Sequence, residues 1–180
     1  MGLKKMKSTK PPGTGKVVAM RVQKGDQETF TVKVGGKEKS YVVGRGFGYF
    51  IPSFRRAGSL TEINVLVDKG IPSHEIQPLI AYFDFKVPEI AKAASVSAST
   101  VSRWERDSSI GTPGSAQFFR IDEIIRKGVA LFGGEPELKQ WLTTPNIALG
   151  NTTPVNLVLS NPGIDLVDEA IDALGYGNVM

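Results

Sequence analysis

Apolar residues recur at two different spacings along the chain, every second position before about residue 44 and every third or fourth from residue 60 onward. In the first region Val18, Met20 and Val22 alternate with Val17, Ala19 and Arg21, and Phe30, Val32 and Val34 alternate with polar residues. A period of two places every second side chain on one face of a strand. Gly35–Gly36 suits a two-residue hairpin turn, and Tyr41 and Val43 resume the alternation. Val17–Gly44 therefore reads as a meander of two or three strands. Its single thin apolar face would be marginal alone. The segment is either an arm docked on the rest of the chain or a partly disordered extension. The residues before it, Met1–Lys16, are Lys-, Gly- and Pro-rich without periodicity and read as a disordered basic tail. Phe47, Tyr49, Phe50 and Phe54 then mark a loop with aromatic anchors, and Arg55 and Arg56 read as solvated charge.

From Ser59 the period is helical. Ser59 caps a helix carrying Leu60, Ile63, Leu66 and Val67, with Glu62 completing a capping box and Gly70 ending it. Ser73 suits the cap of a second helix with Ile76, Leu79, Ile80 and Phe83 as its stripe. Pro78 either kinks that helix or moves its start later. Pro88 fits a first helical turn before Ile90, Ala91 and Ala94. A short turn follows at Ser95–Val96, and Ser97 caps a further helix on which Val101 and Trp104 point inward.

Two short helices and a tight turn form a helix-turn-helix or an ordinary helical hairpin with a polar face. Small polar residues followed by Arg103 favour the first, because close approach to base edges needs small side chains. The candidate DNA contacts are Lys92, Ser97, Ser99, Thr100, Ser102, Arg103 and Arg106. The turn lacks the usual Gly and has Ser95 instead.

Ser108–Ser115 (SSIGTPGS) reads as a linker, and Gln117–Phe132 as an amphipathic helix ended by Gly133–Gly134. A helix with Leu138, Trp141 and Leu142 follows, then a loop over Pro145–Thr153. Thr153–Pro154 and Asn161–Pro162 open two more helices, the last reaching about Leu174. The fold class is mainly α, with a basic N-terminal extension that forms a small β-meander. The organisation is a tail at 1–16, a strand-like basic extension at 17–56, a helix-turn-helix domain at 57–114 and a C-terminal helical domain at 115–180.

Charge sharpens this division. Residues 1–56 carry 13 basic and 3 acidic side chains, whereas residues 131–180 carry 1 and 6. The basic end suits nucleic acid and the acidic end a different, protein partner. Deletion of the Lys-rich tail would be expected to flatten any salt dependence of DNA binding.

With no Cys and only His74, thiol nucleophiles and cysteine or histidine-rich metal centres are excluded. His74 beside Glu75 reads as a capping or solvated residue. PPGTGK lacks the first Gly and the Ser/Thr of a phosphate loop, and GRGFG lacks the third Gly and the strand–helix setting of a dinucleotide fingerprint. Asp165, Asp168, Glu169 and Asp172 share a helix face that suits solubility better than metal binding. No enzyme activity and no cofactor is expected. No apolar run approaches a bilayer span and no apolar core follows the basic N-terminus, so a cytoplasmic protein is expected.

Leu60–Val179 resembles the Xre antitoxins of RES–Xre toxin–antitoxin modules, the group that includes MbcA- and ParS-like proteins. VLVDKGIPSHEIQPLIAYFDF resembles the leading helix pair, VPEIAKAASVSASTVSRWE the helix-turn-helix, and PGIDLVDEAIDALGYGNV the last helix and tail. ALFGGEPELKQWLTTPNIALGNTTPVNLV resembles the more specific hallmark of the toxin-binding domain. Residues 1–56 lie outside the common core, and GYGNVM lacks the charged residues expected around the final Gly.

The resemblance implies an antitoxin that binds an NAD-consuming RES-domain toxin, covers its active-site entrance, forms a homodimer and represses its own operon at operator DNA. It makes Trp141, Asn146, Leu149, Ile171, Leu174, Tyr176, Asn178, Val179 and Met180 the candidate toxin contacts. The residues alone leave a second reading, a stand-alone transcription regulator whose C-terminal domain only dimerises.

Overall fold

The alternating segment forms a sheet, and the sheet is docked. In the computed structural model, which describes residues 21–24, 27–34, 37–43 and 46–177, β1 (Arg21–Lys24), β2 (Gln27–Val34) and β3 (Lys37–Val43) make an antiparallel meander. Phe30 stands opposite Tyr41, and Val43 opposite Glu28. Phe30, Val32 and Val43 are buried, and the Phe30 ring meets Phe50 and Tyr82 edge-on at centroid distances of 5.3 and 5.8 Å. The tail Met1–Lys16, the strand positions Val17–Met20, the Gly35–Gly36 turn and Gly44 lie outside the described residues.

The aromatic loop goes further than its sequence indicates. It runs into a short helix, α1 (Pro52–Arg56), and Tyr49, Phe50, Ile51 and Phe54 all enter the core. Carboxylates distant in sequence hold this backbone. Asp122, wholly buried, accepts the N–H groups of Tyr49, Phe50 and Ile51 at 2.8, 2.8 and 3.1 Å. Glu75 accepts the N–H and hydroxyl of Ser53 at 2.9 and 2.7 Å, satisfying an orphan donor of the first helical turn. Glu135 accepts the Tyr49 hydroxyl, and its backbone carbonyl accepts the Tyr82 hydroxyl at 2.8 Å. Arg55 and Arg56 are not simply solvated: Arg55 donates to the Val42 carbonyl and Arg56 lies 3.7 Å from Glu75.

The helical half follows its periodicity. In α2 (Leu60–Lys69) Ser59 Oγ accepts Glu62 N–H, while the Glu62 carboxylate reaches Gly58 N–H at 2.8 Å, one residue earlier than a strict capping box. Pro78 shifts the next helix later, so that a 3-10 turn at Ser73–Ile76 precedes α3 (Gln77–Phe83). Ser73 is not a cap; its hydroxyl is buried and donates to the Glu105 and Arg106 carbonyls at 2.6 and 3.1 Å. The helices α4 (Val87–Ala94) and α5 (Ala98–Ser102) follow.

The expected linker is replaced by structure. α6 (Gly111–Phe132) begins inside SSIGTPGS, and the stretch before it is stitched to residues 71–73. Ser73 N–H reaches Ser108 O at 2.8 Å, Ile110 N–H reaches Ile71 O at 3.1 Å, and Ser115 Oγ accepts Ile71 N–H at 2.9 Å. Gly and Ser occur here because α4 crosses closely: a Cβ on Gly114 would stand 3.1 Å from Ala94 Cα. The boundary expected at 114/115 thus falls within one continuous helix.

α7 (Glu135–Thr143), a 3-10 turn at Ile147–Leu149, α8 (Pro154–Leu157) and α9 (Asn161–Gly175) complete the chain. α2, α4, α7 and α9 all pack on α6. One core runs from Phe30 of the sheet to Ile171 of α9. The fold is mainly α with a small N-terminal meander. Among the described residues no helix is long and apolar enough to cross a membrane.

Candidate functional site

Two surfaces lie along different stretches of α6. Near its start, α4 carries α5 through a turn in which Ser95 takes the left-handed conformation, φ 57°, where Gly would be unstrained. Val96 N–H closes the turn on Ala91 O at 3.0 Å. Ser97 caps α5 by accepting Thr100 N–H at 3.1 Å. Its hydroxyl also meets those of Ser99 and Thr100 at 2.9 Å each, and Ser102 Oγ donates to Ala98 O at 3.0 Å.

Of the expected DNA contacts, Lys92, Ser97, Ser99, Ser102, Arg103 and Arg106 are exposed and Thr100 half-buried. Lys92, Arg103 and Arg106 form no ion pair among the described residues. α5 is shorter than its pattern suggests: Arg103 closes it, and Trp104 stands just beyond. Val101 and Trp104 are accordingly half-buried and line, with Ile80 and Ile90, a groove of about 350 Å³. His74 is tied to the other side of this groove, its Nδ1 3.0 Å from Arg106 O and 3.1 Å from the Asp107 carboxylate.

The second surface is built on α7, the loop after it, and α9. Leu138 and Leu142 fix α7 to the core, and Trp141, half-buried, tilts against Phe132 at 5.5 Å. The acidic face of α9 is partly neutralised from α6. Asp165 pairs with Arg120, while Lys127 Nζ lies 2.6 Å from Asp168 and 3.3 Å from Asp172. These pairs raise the Lys127 pKa against the opposing effect of burial. No cluster of His, Cys, Asp or Glu suited to a metal occurs among the described residues.

The expected toxin contacts separate into three groups. Leu174 and Tyr176 are 46% and 85% exposed at the end of α9. Trp141 and Leu149 are half-buried against the core, Ile171 is within it, and Asn146 braces its own loop through Ala148 N–H at 2.9 Å. Asn178, Val179 and Met180 lie outside the described residues. The residue that periodicity missed is Ile147, 89% exposed at the tip of the loop. A helical template assigns no face to a lone loop residue, so only the fold reveals it.

Residues 127–177 match the family model described as the antitoxin Xre/MbcA/ParS C-terminal toxin-binding domain. That match spans α7 to α9 and the last turns of α6. The chain is also similar to the protein named antitoxin Xre of Pseudomonas putida, 32% identical over 78 residues, which are 42% of this chain and 49% of that protein. The chain thus spans about half the length of this curated relative.

Proposed function

We propose that this chain, whose residues 127–177 match the Xre/MbcA/ParS toxin-binding domain, acts as an antitoxin whose C-terminal segment blocks a RES-domain toxin that consumes NAD⁺. The observation that carries the reading is the coincidence of the matched residues 127–177 with a helix, α9, that ends in exposed Leu174 and Tyr176. Val167 and Ile171 hold α9 to the body, so a chain cut after Leu174 keeps the residues that anchor the helix. In this reading the residues from Tyr176 to the C-terminus block the substrate cleft and exclude NAD⁺ by occupying it; no chemistry of their own is needed. The α4–turn–α5 unit serves as the helix-turn-helix through which a cytoplasmic homodimer represses its own operon. The exposed Ser99, Arg103, Lys92 and Arg106 support that part of the reading.

The test is co-expression of the toxin with antitoxin truncated after Leu174. The truncated chain keeps its fold and its DNA affinity, while cellular NAD⁺ falls to the level seen with toxin alone. NAD⁺ maintained at the level given by the full chain would show that the tail is not the plug.

A further inference from the structure

The loop between α7 and α8 presents one large apolar side chain to solvent on a rigid frame. Asn146 N–H reaches Thr152 O at 3.1 Å, Asn151 N–H reaches Asn146 O at 2.8 Å, and Asn146 Oδ1 accepts Ala148 N–H at 2.9 Å. Gly150 and Asn151 follow with φ of 66° and 60°, a left-handed pair that reverses the chain and that β-branched residues do not tolerate. Leu149 packs inward against the core and Ile147 is left 89% exposed. The 3-10 turn carrying Ile147 lies against α9, whose Leu166 and Leu174 are 48% and 46% exposed. An isoleucine held on a closed loop loses little further freedom on being buried by a partner, which favours it as an anchor.

Charge selects the partner. Lys139 is the one basic residue in positions 131–180, and it is half-buried with Nζ 5.7 Å from the Tyr82 ring centre. Asp165 and Asp172 are taken up by Arg120 and Lys127, and the exposed Glu137 and Glu169 leave the same domain with a net acidic surface. An acidic border repels DNA and repels a second copy of itself, and it complements a basic protein. We infer that Ile147 is a preformed apolar hook for a protein partner whose matching surface holds an apolar socket bordered by basic side chains. The inference rests on the toxin-binding reading, and the partner is that toxin, gripped at a point separate from the tail that fills its cleft.

The experiment measures binding of the full-length chain to the protein encoded by the adjacent reading frame, inactivated for expression, by titration at low and moderate salt. Ile147→Ala weakens binding about tenfold or more and leaves the melting curve unchanged, because the side chain touches little of its own fold. Affinity falls with salt for both chains. An Ile147→Ala chain that binds like the parent, while truncation after Leu174 still releases toxin activity, overturns the hook and leaves the antitoxin reading standing. A parent chain that does not bind the neighbouring protein overturns both. Loss of self-association in Ile147→Ala, read by sedimentation with toxin affinity unchanged, assigns the loop to a second copy and overturns the inference.

Discussion

Asp122 is the residue on which the N-terminal third depends. Its side chain is wholly buried, and its two oxygens accept three backbone N–H groups from Tyr49, Phe50 and Ile51. Replacing it by Ala leaves donors in the core without an acceptor, at about 1–3 kcal/mol each. For the three donors the expected loss is about 3–9 kcal/mol, a large share of the stability of an ordinary domain. Burial raises the Asp122 pKa to about 6, against the lowering effect of the three N–H bonds and of Arg55. The folded state therefore holds this proton more tightly than the unfolded chain. The resulting stabilisation is fully present below the ordinary Asp range and is lost as pH rises through about 6. From the ordinary Asp value of about 3.9 the shift corresponds to about 3 kcal/mol.

Urea unfolding, followed by the fluorescence of Trp104 and Trp141, measures both effects. Asp122→Ala lowers stability at every pH, and the gap to the parent is widest near pH 4 and narrows toward pH 7. Limited proteolysis then cuts residues 46–56 first. A loss below about 1 kcal/mol, or a gap that does not change with pH, would refute the assignment of Asp122 as the clamp of this segment.

Two further outcomes concern α4 and α5. Arg103→Ala combined with Ser99→Ala weakens specific binding to the promoter of the protein's own operon by about 1–3 kcal/mol if Arg103 reads a base; unchanged gel-shift affinity removes α5 from the DNA interface. Gly114→Leu forces α6 away from Ala94, where a Cβ would already stand 3.1 Å from Cα. It lowers stability by about 1–3 kcal/mol, and a melting temperature equal to the parent's would show that the crossing is not tight.

The sequence by itself determined what is local. Ser59 and Ser97 cap their helices as side-chain acceptors three residues ahead of the N–H they satisfy, and such contacts are readable because both partners sit in one turn; at α9 the cap is Ser160, one residue before the Asn161 that the pattern indicates. The stripes of α3 and α4, and the two-residue period of β2 and β3, likewise assigned the buried faces of Leu79, Ile90, Phe30 and Val43. Tertiary structure alone decided the rest. α1 forms because Glu75 caps Ser53 from 22 residues away and Asp122 holds the preceding loop from 71 to 73 residues away. SSIGTPGS became the start of α6, since its small residues answer the approach of α4, a demand that no local pattern records. The candidate sites divide in the same way. Ser99 and Arg103 were legible as the outer face of a helix, whereas Ile171 went into the core and Ile147 came out at the tip of a loop. Periodicity reports which residues share a face, but burial also depends on what packs against that face, and that is settled only when α9 and the loop before it meet α6 and α7.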